Sequence, residues 1–192
     1  MLDNLEKYKV ILASGSPRRR ELMAGLGVNY EVRILPDVDE SYPDTLQGEE
    51  IPLYIAKEKA DAYIPMMQPD ELIITADTIV WLDSKVLGKP RDREDALQML
   101  RTMSGRTHEV FTGVCITTTD WQRSFTAQTE VRFATLSEDE IIYYVDNFKP
   151  MDKAGAYGVQ EWIGFIGVEN ISGSYYNIMG LPVQKLYREL LK

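Results

Sequence analysis

Three arginines follow a proline in Ser14-Gly15-Ser16-Pro17-Arg18-Arg19-Arg20, directly after the apolar run Val10-Ile11-Leu12-Ala13. Guanidinium forks match phosphate oxygens two at a time, and a helix N-terminus itself favours anions. Ser16 suits the N-cap and Pro17 the first helical position, where a missing N–H costs nothing. At about 100° per residue, Leu22, Met23 and Leu26 mark the apolar arc. Arg19 falls within that arc and Arg18 flanks it, so both are expected to line a cleft, whereas Arg20 points away toward solvent. The competing reading is a basic turn on the surface.

Carboxylates offer the complementary chemistry, hydrolysis through a hard metal, since Mg²⁺ needs only one or two of them plus substrate phosphates. Asp77 is the strongest candidate, because it ends the apolar strand Ile73-Ile74-Thr75-Ala76, and strand ends are where α/β sheets present their sites. Glu40, in Asp37-Val38-Asp39-Glu40, is a weaker one. Lys59 shares a helical stripe with Ile51, Ile55 and Tyr63, so it either snorkels or faces a polar cleft. Lys89, in Leu87-Gly88-Lys89-Pro90, imitates the tail of a P-loop, but Asp83 stands where that motif needs glycine and Pro90 where it needs Ser or Thr. In Asp152-Lys-Ala-Gly-Ala-Tyr-Gly-Val-Gln160, small residues let backbone approach a ligand, and the Gln160 amide, both donor and acceptor, suits a base edge.

Histidine and cysteine chemistry is poorly supplied. His108 and Cys115 are the only residues of their types, which excludes zinc by Cys/His spacing and an internal disulfide framework. Cys115, in Val-Cys-Ile, reads as core. Ser14 or Ser16 as a nucleophile would need His108 as base, and nothing marks it as their partner; a structural or exposed role is the simpler one for it.

A chain of 192 residues with net charge −9 makes one domain or two packed lobes, and its acidity speaks against a nucleic-acid polymer as partner. No apolar run approaches the roughly 18 residues of a membrane span, the N-terminus has no secretory pattern, and one cysteine fits a reducing cytosol.

The elements that must position these residues follow from periodicity and breakers. Strands are expected at 9–13, 30–35, 72–76, 78–82, 86–87, 109–118, 124–134 and 164–169. Helices are expected at 17–26, 49–63, 92–103, 137–147 and 181–190. Asp92 is an N-cap, and Ser137 with Glu140 forms a capping box. Strands and helices mix without strict alternation, so the class is α/β with a mixed twisted sheet.

Together, Ser14-Gly-Ser-Pro-Arg-Arg, Val38-Asp-Glu, Ala56-Lys-Glu-Lys-Ala, Ala76-Asp-Thr-Ile-Val, Gly88-Lys-Pro-Arg, Ser104-Gly-Arg-Thr-His and Asp152-Lys-Ala-Gly-Ala-Tyr-Gly-Val-Gln resemble the Maf family of nucleoside triphosphate pyrophosphatases, in family order and over nearly the whole chain. The resemblance implies a single domain over 1–192, a two-lobed Maf/inosine-triphosphatase-like fold with a central cleft, and a cytoplasmic enzyme that cleaves a nucleoside triphosphate to the monophosphate and pyrophosphate. It further implies a divalent metal, Mg or Mn, and is compatible with a homodimer. By position, it implies Asp77 as the base, Ser14, Arg18, Arg19, Lys59 and Lys89 on the phosphates, Glu40 and Asp77 near the metal, and Arg18, Thr78 and Gln160 in substrate choice. Pro-Arg-Arg, Asp-Thr and Tyr-Gly-Val-Gln resemble the branch acting on dTTP and UTP rather than 7-methyl-GTP, while Glu161-Trp162 departs from the glycine of many relatives. The alternative to an enzyme is a nucleotide-binding regulator of cell division that needs no turnover.

Overall fold

The structure, a computed structural model, describes residues 2–36 and 38–192; Asp37, the first residue of the acidic loop motif, lies outside them. A seven-stranded mixed sheet forms the frame, in the order β2-β1-β3-β5-β6-β7 with β4 pairing β3. The strands are β1 (Lys9–Leu12), β2 (Glu31–Val32), β3 (Glu71–Leu82), β4 (Lys85–Leu87), β5 (Thr107–Thr117), β6 (Gln122–Phe133) and β7 (Val168–Ser172). The helices are α1 (Pro17–Gly25), α2 (Glu50–Tyr63), α3 (Arg93–Met103), α4 (Glu138–Phe148), α5 (Trp162–Gly167), α6 (Tyr175–Ile178) and α7 (Val183–Leu190). The chain divides into two compact units: Met1–Asp77 with Thr112–Ala127 and Gly180–Lys192, and Thr78–Phe111 with Gln128–Met179.

In the first unit, β1 runs parallel to both β2 and β3, with Leu12 opposite Ile74. Parallel strands covered on both faces read as continuous apolar runs rather than alternations. Accordingly, Val10–Leu12 and Leu72–Ile74 are all buried. Helix α2 lies close on this sheet. A Cβ at Gly113 of β5 would come within 2.4 Å of the Pro52 and Leu53 backbone, and the Thr75 hydroxyl donates to the Ala56 carbonyl at 2.7 Å. Ala56, Ala60 and Cys115 form one buried cluster, which places Cys115 in the core.

In the second unit, β3 turns into antiparallel β4 through Asp83 and Ser84, both at positive φ, the backbone of a two-residue hairpin whose twist suits its strands. The Asp92 side chain caps α3 by accepting from the Asp95 N–H, and Ser137 and Glu140 form the full capping box of α4. His108 lies buried between Phe133 and Tyr157, its ring edge-on to both.

Four expectations need correction. The strand carrying Asp77 does not end there: β3 continues for twelve residues through Thr78 to Leu82. Asp77 tolerates a mid-strand place because Lys59 pairs with its carboxylate. The segment 164–169, read as a strand from its apolar residues, is mostly helix α5, and β7 begins at Val168. Gly164 fits there because a Cβ would fall 1.8 Å from the Val159 carbonyl oxygen, a backbone approach that composition does not reveal. The strand at 30–35 contracts to Glu31–Val32, and the C-terminal helix starts at Val183, after Pro182.

Candidate active site

The turn after β1 is built from its own polar atoms. Ser14 is 7% exposed, and its Oγ accepts the Ser16 N–H at 3.2 Å. Ser16 caps α1 by accepting from the Arg19 N–H, with Pro17 in the first turn as its fixed φ favours. Arg19 Nε donates to the Gly180 carbonyl at 2.7 Å and Nη1 to the Ala76 carbonyl at 2.9 Å. Its guanidinium thereby links the helix to the strand residue before Asp77. Burial pulls the Arg19 pKa below the ordinary guanidinium value, and the nearby Asp77 carboxylate pushes it back up.

Arg18 is half-buried in the same first turn. Arg20 is half-buried too, not solvated as its helical phase suggested: its Nε donates to the Ser14 carbonyl at 3.4 Å. The reason is the backward lean of helical side chains, which lays a residue over the turn N-terminal to it. Phase alone does not carry that lean.

Lys59 settles on the polar side of its two readings. Its Nζ lies 2.7 Å from a Glu40 oxygen and 2.9 Å from an Asp77 oxygen. Lys59 and Asp77 side chains are each 14% exposed and Glu40 54%, so the ammonium bridges one enclosed and one open carboxylate. The stripe Ile51, Ile55, Tyr63 holds α2 against the sheet and so aims Lys59. Tyr63 adds a tether, its hydroxyl donating to the Arg33 carbonyl at 2.9 Å and accepting the Leu35 N–H at 3.1 Å. That fixes the chain entering the loop of Glu40. Arg33 in turn forks onto the buried Glu71 carboxylate, holding its pKa below the usual carboxylate value.

The first unit therefore gathers Ser14, Arg18, Arg19, Glu40, Lys59 and Asp77 around the ends of β1 and α2 and the middle of β3. The second unit carries Thr78, Lys89 and Gln160. Thr78 is half-buried on β3, and Lys89 is exposed in the loop after β4. That loop is tied to the glycine-rich segment, as the Gly155 N–H donates to the Gly88 carbonyl at 3.0 Å. Gly155 has φ +67°, and a Cβ there would press to 2.9 Å from the Val80 side chain, so only glycine packs this segment against β3. Gln160 is half-buried, with its Oε1 fully buried and without a hydrogen-bond partner.

His108 does not serve a serine. Its Nε2 is 2.7 Å from the Tyr157 hydroxyl, and burial lowers its pKa to about 4. One group escaped the sequence: Tyr144, Lys153 and Glu161, which join beside Gln160. A tyrosine on the apolar face of an amphipathic helix was the available signal, since a buried phenol needs a polar partner.

Among the described residues no three His, Cys, Asp or Glu side chains are grouped to hold a metal ion. Glu40 and Asp77 nevertheless converge on one cation position, that of the Lys59 ammonium. Two hard oxygen donors fit Mg²⁺ or Mn²⁺, which complete their shells with water and phosphate oxygens. No helix of the described residues is long and apolar enough to cross a membrane.

The family model described as Maf-like protein matches residues 9–192. Two relatives, both bearing the name dTTP/UTP pyrophosphatase, come from Bacteroides thetaiotaomicron, with 72% identity over all of both chains, and Bacteroides fragilis, with 70% identity over 99% of this chain and 98% of the relative. Among solved structures, the Ham1 protein of Staphylococcus aureus aligns with a TM-score of 0.53 at 16% identity, covering 94% of this chain and 99% of that one. That similarity speaks to fold alone.

Proposed function

Since this chain belongs to the Maf family, we propose that it is a nucleoside triphosphate pyrophosphatase that takes dTTP and UTP, releasing pyrophosphate and leaving the monophosphate. The observation that carries the reading is the Lys59 ammonium between Glu40 and Asp77. It sets a partly enclosed carboxylate and an open one on a single cation, beside a turn rich in arginine. Asp77 orients and deprotonates the attacking water. Ser14, Arg18, Arg19, Lys59 and Lys89 balance the charge of the phosphates. The Arg19 charge is held in place, not cancelled, by the two backbone carbonyls that accept from it.

Glu40 and Asp77 would hold a divalent metal, which when bound supplies neutralisation of the phosphates and the leaving group. Phosphoryl chemistry of this kind is positioning plus electrostatics, so it needs no catalytic histidine or cysteine.

Gln160 reads the base. Its carboxamide offers an acceptor for the N3–H that thymine and uracil carry and cytosine lacks, and a donor for a ring carbonyl; no protein bond to Oε1 has to be broken for the side chain to turn toward a base. Arg18 and Thr78 complete the selection. Such a substrate places the enzyme in the cytoplasm, in keeping with one reduced cysteine.

The test is a panel of dTTP, UTP, dCTP, CTP, GTP and 7-methyl-GTP with Mg²⁺ or Mn²⁺, read as pyrophosphate release. Turnover of dTTP and UTP is expected, with at least a roughly hundredfold loss of kcat in Asp77→Asn. Release from none of the nucleotides refutes the activity, and dominance of 7-methyl-GTP refutes the pyrimidine preference alone.

A further inference from the structure

Gln160 can discriminate between pyrimidines only if its carboxamide is held in one orientation, because a freely rotating amide offers a donor and an acceptor interchangeably. Its own oxygen is buried and finds no partner in the protein, so no hydrogen bond to that oxygen holds the side chain, and its placement depends on the backbone on either side of it. Both sides are anchored to one atom. The Tyr144 hydroxyl accepts the Gly158 N–H at 3.0 Å and donates to the Glu161 Oε2. These are the residues two before and one after Gln160.

Tyr144 is itself fully buried on α4, and its ring stacks on Phe148 with centroids 5.2 Å apart. Burial and the adjoining Glu161 carboxylate raise its pKa well above that of a free phenol, so it remains a donor at every working pH. The other Glu161 oxygen lies 3.2 Å from the Lys153 Nζ. Lys153 is itself buried and braced by Asp152 at 2.8 Å. No slack remains between these groups. A Cβ on Gly158 would stand 2.9 Å from the Glu161 carboxyl carbon and 3.1 Å from the Lys153 stem. The Glu161 N–H closes the turn on the Gly158 carbonyl at 3.0 Å.

We infer that Glu161, clamped between Tyr144 and Lys153, is a positioning residue that fixes the Gln160 carboxamide and so sets the choice between thymine or uracil and cytosine. The inference rests on the base-reading role proposed for Gln160. It gives a function to the Glu161-Trp162 pair, which a glycine at the first position could not perform. A misplacement of about 1 Å suffices to cost up to a hundredfold in an oriented site, and two peptide units are all that separate the clamp from the amide.

The experiment measures kcat and KM for dTTP and dCTP in the wild type, Tyr144→Phe, Glu161→Gln, Gln160→Ala and the Tyr144→Phe/Gln160→Ala double variant. The ratio of kcat/KM for dTTP over dCTP is expected to fall about tenfold in Tyr144→Phe and Glu161→Gln, through KM for dTTP rather than kcat. In the double variant it should fall no further than in Gln160→Ala alone, since the clamp acts only through that side chain. Glu161→Gln conserves volume and leaves Lys153 its Asp152 partner, so it carries the test if Tyr144→Phe yields no folded protein. Undiminished selectivity in folded clamp variants, or an additive loss in the double variant, overturns the inference. Undiminished selectivity in Gln160→Ala overturns the base-reading role itself, a separate outcome visible in a separate protein.

Discussion

His108 is the only histidine in the chain, and its burial has a consequence for acid stability that can be worked to a number. The ring is 1% exposed, and its pKa falls from 6.5 to about 4 because the protonated form would lose its hydration. In the unfolded chain the imidazole takes up a proton near 6.5; in the folded chain it stays neutral until about 4. Between those values the unfolded state binds more protons, so stability rises with pH through the window and is lost as pH falls. At about 1.4 kcal/mol per pH unit the full penalty is about 3 kcal/mol, of which roughly 2 kcal/mol is incurred between pH 7 and pH 5. Carboxylates held low by arginines, such as Glu71, add acid sensitivity of the same sign. The measurement is therefore a difference of differences: urea-unfolding free energies at pH 7 and pH 5 for wild type and His108→Gln, whose amide still reaches the Tyr157 hydroxyl. The variant starts less stable but should lose about 2 kcal/mol less on acidification. A lone imidazole also gives a lone NMR signal, which should show no titration near 6.5. Parallel losses in the two proteins, or a midpoint near 6.5 in the folded state, would refute the reasoning.

Four other substitutions test the remaining geometry. Lys59→Met removes the ammonium that two carboxylates share, and Mn²⁺ binding to the protein without nucleotide, followed by calorimetry, should tighten at least about tenfold; weaker binding would show that lysine and metal do not compete for these oxygens. Gly113→Ala must force α2 off β5 and should cost about 3 kcal/mol or prevent folding, whereas Gly25→Ala, at the C-terminal end of α1 with open space around it, should gain about 0.5 kcal/mol; equal thermal midpoints would contradict both. Arg20→Ala removes a donor from the Ser14 carbonyl and should raise KM for dTTP about threefold with kcat unchanged, so a kinetically silent variant would show that this contact does not shape the turn.

The sequence carries information where physics is local. The cap of α1 at Ser16, the capping box at Ser137 and Glu140, and the buried run Leu72–Ile74 were all legible because each depends on neighbours within a turn or a strand. Spacing of four along α2 placed Lys59 on the inward stripe, but not which of two carboxylates it meets; both lie roughly twenty residues away and meet it only through the parallel pairing of β1 with β3. The continuity of β3 through Asp77 was hidden for the same reason, since an aspartate breaks a strand unless a cation arrives from elsewhere. The helix at 162–167 was missed because Gly164 is there for a close backbone approach rather than for flexibility. The clamp on Gln160 joins residues of α4, of the glycine-rich segment and of the α5 N-terminus, and no local pattern connects them.

The bond from Arg19 to the Gly180 carbonyl spans 161 residues. Protein synthesis is vectorial, so the helix that opens the site is made first and waits for this anchor until Gly180 has been added. A nascent or prematurely terminated chain that stops short of Gly180 holds every side chain assigned here to the nucleotide, yet its Arg19 lacks the Gly180 carbonyl. The same holds after proteolytic trimming of the C-terminus.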